Sequence, residues 1–202
     1  MKVAVLGASG RAGSEIVKEL AGRGHEVIAI ARKPEAIPQR PNVTAQAGDA
    51  SDPSALIELI RGVDAVVSAL HFDIPAATLL TALREAEVPR LLVTGGAASL
   101  EVAPGKRVID DPAFPEEWKG MALGGIAFLD ALRAEKAIDW TFFSPAALLF
   151  EGPRLGNYRL GTDQLVTDAN GDSKISFADY AVAMVDELER HQHSRARFTA
   201  AY

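Results

Sequence analysis

Gly7, Gly10 and Gly13 recur at every third position of GASGRAG, between the apolar run Val3–Leu6 and a helical-looking segment. Glycines so placed suit phosphate binding. The first permits a tight turn, the second lets backbone N–H groups approach a pyrophosphate, and the third lets helix pack closely on strand. The loop residues Gly7, Ser9, Gly10, Arg11, Ala12 and Gly13 are therefore the expected dinucleotide cradle, with the partial positive charge of a helix N-terminus aimed at the phosphates. The second strand selects the dinucleotide. An NAD site places Asp or Glu about 20 residues beyond the loop, on the ribose hydroxyls. Here EVIAIARKPE ends in Arg32 and Lys33 without a carboxylate at its tip. Two cations there suit a 2′-phosphate, and Arg suits it in bidentate geometry. NADP(H) is thus expected ahead of NAD(H), with Arg11 within reach of the same phosphate.

Other reactive types are sparse. His71 follows an apolar strand, where it could polarise a substrate carbonyl. Ser144 and Ser99 are candidate hydrogen-bond partners of a nicotinamide amide or substrate, and no base is spaced to make either a nucleophile. DANGDS, with Asp168, Asn170 and Asp172 alternating, superficially fits a calcium loop, but Ser173 stands where the sharp turn needs Gly, so a turn is expected. His191 and His193 read as a solvated polar tail. No metal site is expected. The chain has no cysteine, which excludes disulfides and thiol catalysis.

These residues need elements to hold them. Short apolar runs at Lys2–Leu6, Glu26–Ala31, Val43–Ala47, Asp64–Ala69, Arg90–Thr94 and Trp140–Ser144 alternate with helical patterns. The helices are expected at Arg11–Arg23, from Asp52-Pro53 to Ile60, at Ile74–Ala86 and at Glu116–Lys136. Strands apolar on both faces belong in a parallel sheet covered on both sides. The βαβ alternation predicts a Rossmann-like, doubly wound parallel α/β sheet. With 202 residues one domain is expected, residues 150–202 forming a substrate-side cap with a helix opened by Ser176 and a last edge strand RFTAAY. A net charge of −6 opposes a nucleic-acid or anionic-membrane partner. No apolar stretch reaches the roughly 20 residues of a membrane span, and a cytoplasmic location is expected.

The segments GASGRAG, IARKPE, AGDASDP, VDAVVSALH, RLLVTGGAASLEVAPG, IDWTFFSPAALLFEG and YRLGTDQLVTDANGDSKISFADYAVAMVDELE together resemble the atypical short-chain dehydrogenase/reductases. Within them the chain is most similar to the NmrA-like NAD(P)H-binding group and its NADH-flavin reductases, relatives of the biliverdin-IXβ/flavin reductases. The resemblance implies Asp49 and Ala50 by the adenine, Ala69 and Leu70 along the adenosine half, and Thr94, Gly95 and Gly96 near the nicotinamide. The bottom-up reading agrees, because these positions and Ser144-Pro145 fall at carboxyl ends of expected strands, where open α/β sheets bind ligands.

Carbonyl-reducing members of that superfamily carry Tyr-x-x-x-Lys, the Tyr giving its proton to the developing alkoxide. Here Thr162 and Met184 stand four residues after Tyr158 and Tyr180, and Gly95 or Gly96 occupies the serine position. The catalytic acid is unassigned. A flavin or quinone-like planar acceptor would need no protein acid, only alignment of two rings, with flavin as substrate rather than prosthetic group. Gly95, Gly96 and Ala97 would leave a flat slot walled by Trp118, Met121, Pro145 and Phe150. Two other readings stay open: a non-catalytic redox sensor with a protein partner, and an epimerase or dehydratase, which the absent relay opposes.

Overall fold

A computed structural model describes residues 1–202. Twelve strands and five helices follow one another as β1 (Lys2–Leu6), α1 (Arg11–Gly22), β2 (Glu26–Ala31), β3 (Val43–Ala47), α2 (Pro53–Ile60), β4 (Ala65–Ser68), α3 (Ala76–Glu85) and β5 (Arg90–Thr94), then β6 (Glu101–Ala103), β7 (Lys106–Arg107), α4 (Glu116–Ala134), β8 (Asp139–Ser144) and β9 (Leu148–Phe150), and finally β10 (Arg159–Gly161), β11 (Lys174–Ser176), α5 (Phe177–Arg190) and β12 (Ala196–Ala201). The main sheet runs β10-β12-β8-β5-β4-β1-β2-β3, parallel throughout except for β10. Its order reverses between β1 and β4, so a crevice opens there at the strands' carboxyl ends.

Alternation along the strands divides the core in two. On β1, Val3 and Val5 pack under α1 and α5, while Ala4 and Leu6 face the layer of α2, α3 and α4. On β8, Phe143 stacks between Tyr180 and Phe198 at 4.0 and 4.1 Å, and Phe142 turns to the opposite layer. Two helices start where the expected caps stand. The Asp52 carboxylate accepts from Ala55 N–H, and the Ser176 hydroxyl accepts from Asp179 N–H. Each such cap contributes about 1 kcal/mol.

The C-terminal quarter departs from expectation. The RFTAAY strand, β12, lies inside the sheet between β8 and β10, and α5 packs beside α1 as part of one covering layer. Only the neighbourhood of β9 and β11 reaches the crevice. The residues turned inward explain this: Phe198, Ala200, Ala201, Met184 and Val185 are buried, and a surface cap would leave them wet. His193 is likewise no solvated tail. Its Nδ1 lies 2.7 Å from a buried Glu187 carboxylate and its ring stacks on Phe198 at 4.6 Å. DANGDS is a turn in which Asp168 accepts from Asn170 and Asp172 N–H. No helix is long and apolar enough to cross a membrane.

Candidate functional site

The glycine loop owes its shape to close backbone approaches. Gly7 has φ +75°, and a Cβ there would stand 2.6 Å from the Ala69 carbonyl oxygen at the end of β4. A Cβ on Gly13 would meet the Gly7 carbonyl oxygen at 2.2 Å. Both glycines are thus packing requirements beneath the loop. Gly10 is different: it precedes α1 with extended backbone, offers no side-chain cap, and borders open space. No acidic residue occupies the first turn of α1. The exposed helix N-terminus therefore keeps its partial positive charge and free N–H groups, a cradle that fits a pyrophosphate.

In front of this loop lies a cavity of about 750 Å³. Of the expected residues it brings together Gly10, Arg11, Ala12, Ala69, Leu70, His71, Thr94, Gly95, Gly96, Ala97, Ser99, Trp118, Met121 and Pro145, the Ser99 hydroxyl accepting from Arg197 at 3.1 Å. Ser9 is exposed on the loop outside the lining, and Ala50 is buried in the core layer. Arg32, Lys33 and Asp49 stand exposed at the ends of β2 and β3, beside the cavity rather than in it. Backbone and hydroxyl hydrogen bonds from Ser51 hold the Asp49 carboxyl below its ordinary value, with a further pull from Arg32.

Four expectations need correcting. Arg11 does not join Arg32: its guanidinium lies 5.1 Å from the Phe177 ring centroid, on the cavity's lining. Gly95 lines the cavity with backbone only and does not open the slot, because a Cβ there would turn away to strike the Phe142 ring at 2.3 Å, whereas Gly96 has nothing nearer than Phe72 at 4.0 Å. Phe150 is no acceptor wall; it packs edge-on against Tyr202 at 6.4 Å. Ser144 is wholly buried, its hydroxyl unpartnered, and does not line the cavity.

The walls that sequence reasoning missed are aromatic and aliphatic. Phe72, Phe114, Ile126, Leu149 and Phe177 all line the cavity. Phe72 lies beside Phe128 and Phe142, at 5.5 and 6.1 Å, and against Gly125, where a Cβ would come within 2.9 Å of its ring. Gly124-Gly125 in the middle of α4 was the available signal, since glycine inside a helix costs about 1 kcal/mol and calls for a packing reason.

No tyrosine reaches this space. Tyr180 donates to the Phe143 carbonyl (2.7 Å), Tyr158 to Asp186 (2.7 Å) and Tyr202 to Asp179 (2.7 Å), and none of the three lines the cavity. Burial pushes the Tyr180 phenol well above its ordinary value. The titratable groups that do line the cavity are Arg11 and His71 alone.

Known proteins fit this architecture. YwnB of Bacillus subtilis, a protein without assigned function, is 42% identical over 210 residues, spanning 98% of this chain and 97% of that one. The crystal structure of a candidate epimerase from Bacteroides thetaiotaomicron is 41% identical, covers all of this chain and 96% of its own, and superposes with TM-score 0.94. A candidate NADH-flavin reductase from Streptococcus pneumoniae is 36% identical, covers all of this chain and 99% of its own, and gives TM-score 0.80. The model of the NAD(P)H-binding family matches residues 7–191. Glycine loop, sheet order and match agree, and the chain belongs to the NAD(P)H-binding family of Rossmann-like proteins.

Proposed function

We propose that the protein is an NADPH-dependent reductase that hands hydride directly to a flat ring acceptor, a flavin or a quinone. The observation that carries this reading is one cavity that runs from a pyrophosphate cradle into an apolar chamber with no tyrosine, lysine or carboxylate on its walls. The reduced nicotinamide would supply the hydride, and the balancing proton would come from water. The chain's part is to bind and align. The loop around Gly10 and the N-terminus of α1 hold the phosphates, and Arg32 and Lys33 hold the 2′-phosphate. Thr94, Gly96 and Pro145 bound the space where the two rings meet, and Phe72 forms its floor. Excluding water and fixing ring overlap supply the rate enhancement. A ketone would fare poorly, since its alkoxide would form with no positioned donor.

Loss of NADPH absorbance with riboflavin, a naphthoquinone and simple ketones tests the reading. Flavin or quinone should be reduced and ketones should not. His71→Ala and Ser144→Ala should keep flavin reduction within about tenfold of the parent, against the roughly 10²–10⁴-fold cost of losing a general acid. Ketone reduction abolished by His71→Ala would overturn the proposal. Tight NADPH binding without turnover of any flat acceptor would favour the sensor reading instead.

A further inference from the structure

The chamber beyond the nicotinamide position is closed by Phe72, Phe114, Trp118, Met121 and Ile126. Its one cation, Arg11, stands at the glycine-loop end over Phe177. None of these five walls could accept a phosphate. A phosphate carries about −1.5 to −2 charge and needs Arg, Lys or converging N–H groups when it leaves water.

The chain around these walls is acidic. Asp73 follows Phe72, Asp110 and Asp111 lie between Val108 and Phe114, and Glu116 and Glu117 precede Trp118; all five are exposed. Two of the charges are answered locally, Asp110 by Arg107 and Glu116 by Lys119. Asp73, Asp111 and Glu117 are left without an ion-pair partner. The N-terminus of α4 draws no anion, because it already carries Glu116 and Glu117 in its first turn. Lys106, exposed beside Asp110, offsets one of these charges, and the mouth remains net negative over an aromatic chamber whose five named walls carry no charge.

We infer that the acceptor is an uncharged flat ring, and that the mouth discriminates against phosphorylated or otherwise anionic acceptors. Riboflavin or a neutral quinone is then the fitting substrate class, and FMN and FAD are poorer ones. This rests on the reductase reading for its turnover but not for its binding. Trp118 is 55% exposed at the mouth and reports ring stacking through its fluorescence, while Trp140 is 3% exposed in the core.

Riboflavin and FMN share one ring and differ by a phosphate, so paired titrations isolate the charge. At low ionic strength, Trp118 quenching and kcat/KM should both favour riboflavin by about three- to tenfold, and the gap should narrow at high salt as the mouth's field is screened. The double variant Asp73→Asn, Glu117→Gln should lower the riboflavin-to-FMN ratio toward one, and a Trp118→Phe protein should lose the quench. FMN binding as tightly as riboflavin would overturn the inference and leave the reductase standing. Riboflavin binding more tightly without turnover would leave the inference standing and remove the reductase. Binding of neither riboflavin, FMN nor a neutral naphthoquinone would remove both.

Discussion

Arg32 and Lys33 follow β2 as exposed cations without an ion-pair partner, and on the proposed reading they discriminate between the two cofactors. A charged hydrogen bond contributes about 1.5–3 kcal/mol, and about 1.4 kcal/mol is one decade of affinity. NADPH is therefore expected to bind at least roughly tenfold more tightly than NADH. Arg32→Ala should remove most of that difference while NADH affinity stays within a factor of about two, as read by calorimetry with both cofactors. Equal affinities in the parent protein would refute the assignment. Arg32→Lys should keep only part of the preference, because an ammonium lacks the bidentate fork.

At the scale of elements, the turn after β5 holds two glycines with opposite duties. Gly95 backs onto the Phe142 ring of the neighbouring strand, and Gly96 faces the cavity. Gly95→Ala overpacks the core and should cost about 1–3 kcal/mol of stability. Gly96→Ala should melt like the parent. Gly96→Leu should fold but displace the acceptor ring, and a shift of about 1 Å can cost on the order of 10²-fold in rate. Thermal melts and flavin-reduction assays on the three variants separate the duties; equal destabilisation by Gly95→Ala and Gly96→Ala would show the assignment to be wrong. The same turn shows what was legible in the sequence. Strands Glu26–Ala31, Val43–Ala47 and Arg90–Thr94 stand where the apolar runs place them, because each run is bounded by turn residues. The cofactor half of the cavity followed from glycine spacing. The acceptor half did not, since Phe72 and Ile126 lie far from the loop in sequence and only tertiary packing aims them at it. Nor did spacing reveal that Gly95 and Gly96 point opposite ways. Pattern reading also left β12 at the edge, because the antiparallel β10 that covers it is a three-residue strand without periodicity.

Across the whole molecule, ion pairs tie the two helices of one layer together. Arg23 on the C-cap of α1 bonds Glu19, Asp186 and Glu189, and Arg154 adds a second cation to Glu19. Burial works to raise the Glu19 and Asp186 carboxyls. The bonds from Arg154 and Arg23 to the first, and from Tyr158 and Arg23 to the second, outweigh it and hold both below their ordinary values. A carboxyl with a lowered folded value binds its proton more readily when unfolded. Its stabilisation is therefore complete above the ordinary value, near 4.5 for Glu19, and disappears as pH falls below it. Unfolding midpoints should be flat from neutral pH down to about 5 and drop steeply below about 4.5, with a shallower drop in Arg23→Ala. A second network, at the amino ends of the strands, buries Arg90 between Asp139 at 3.2 Å and Glu187 at 3.1 Å. Glu187→Ala leaves Arg90 with Asp139 alone and removes the carboxylate that His193 also bonds, and should cost about 1–3 kcal/mol in denaturant unfolding, far from the cavity.

The Phe72 ring belongs to the core and to the cavity at once, lodged between Phe128, Phe142 and Gly125. Mutational tolerance around the acceptor should therefore be uneven. Substitutions at Phe72 or Gly125 would trade foldability against any new substrate range, whereas Trp118 and Met121, more than half exposed, can vary at little thermodynamic cost. Laboratory evolution toward new acceptors should gather its changes along the outer wall of α4 and leave the floor alone.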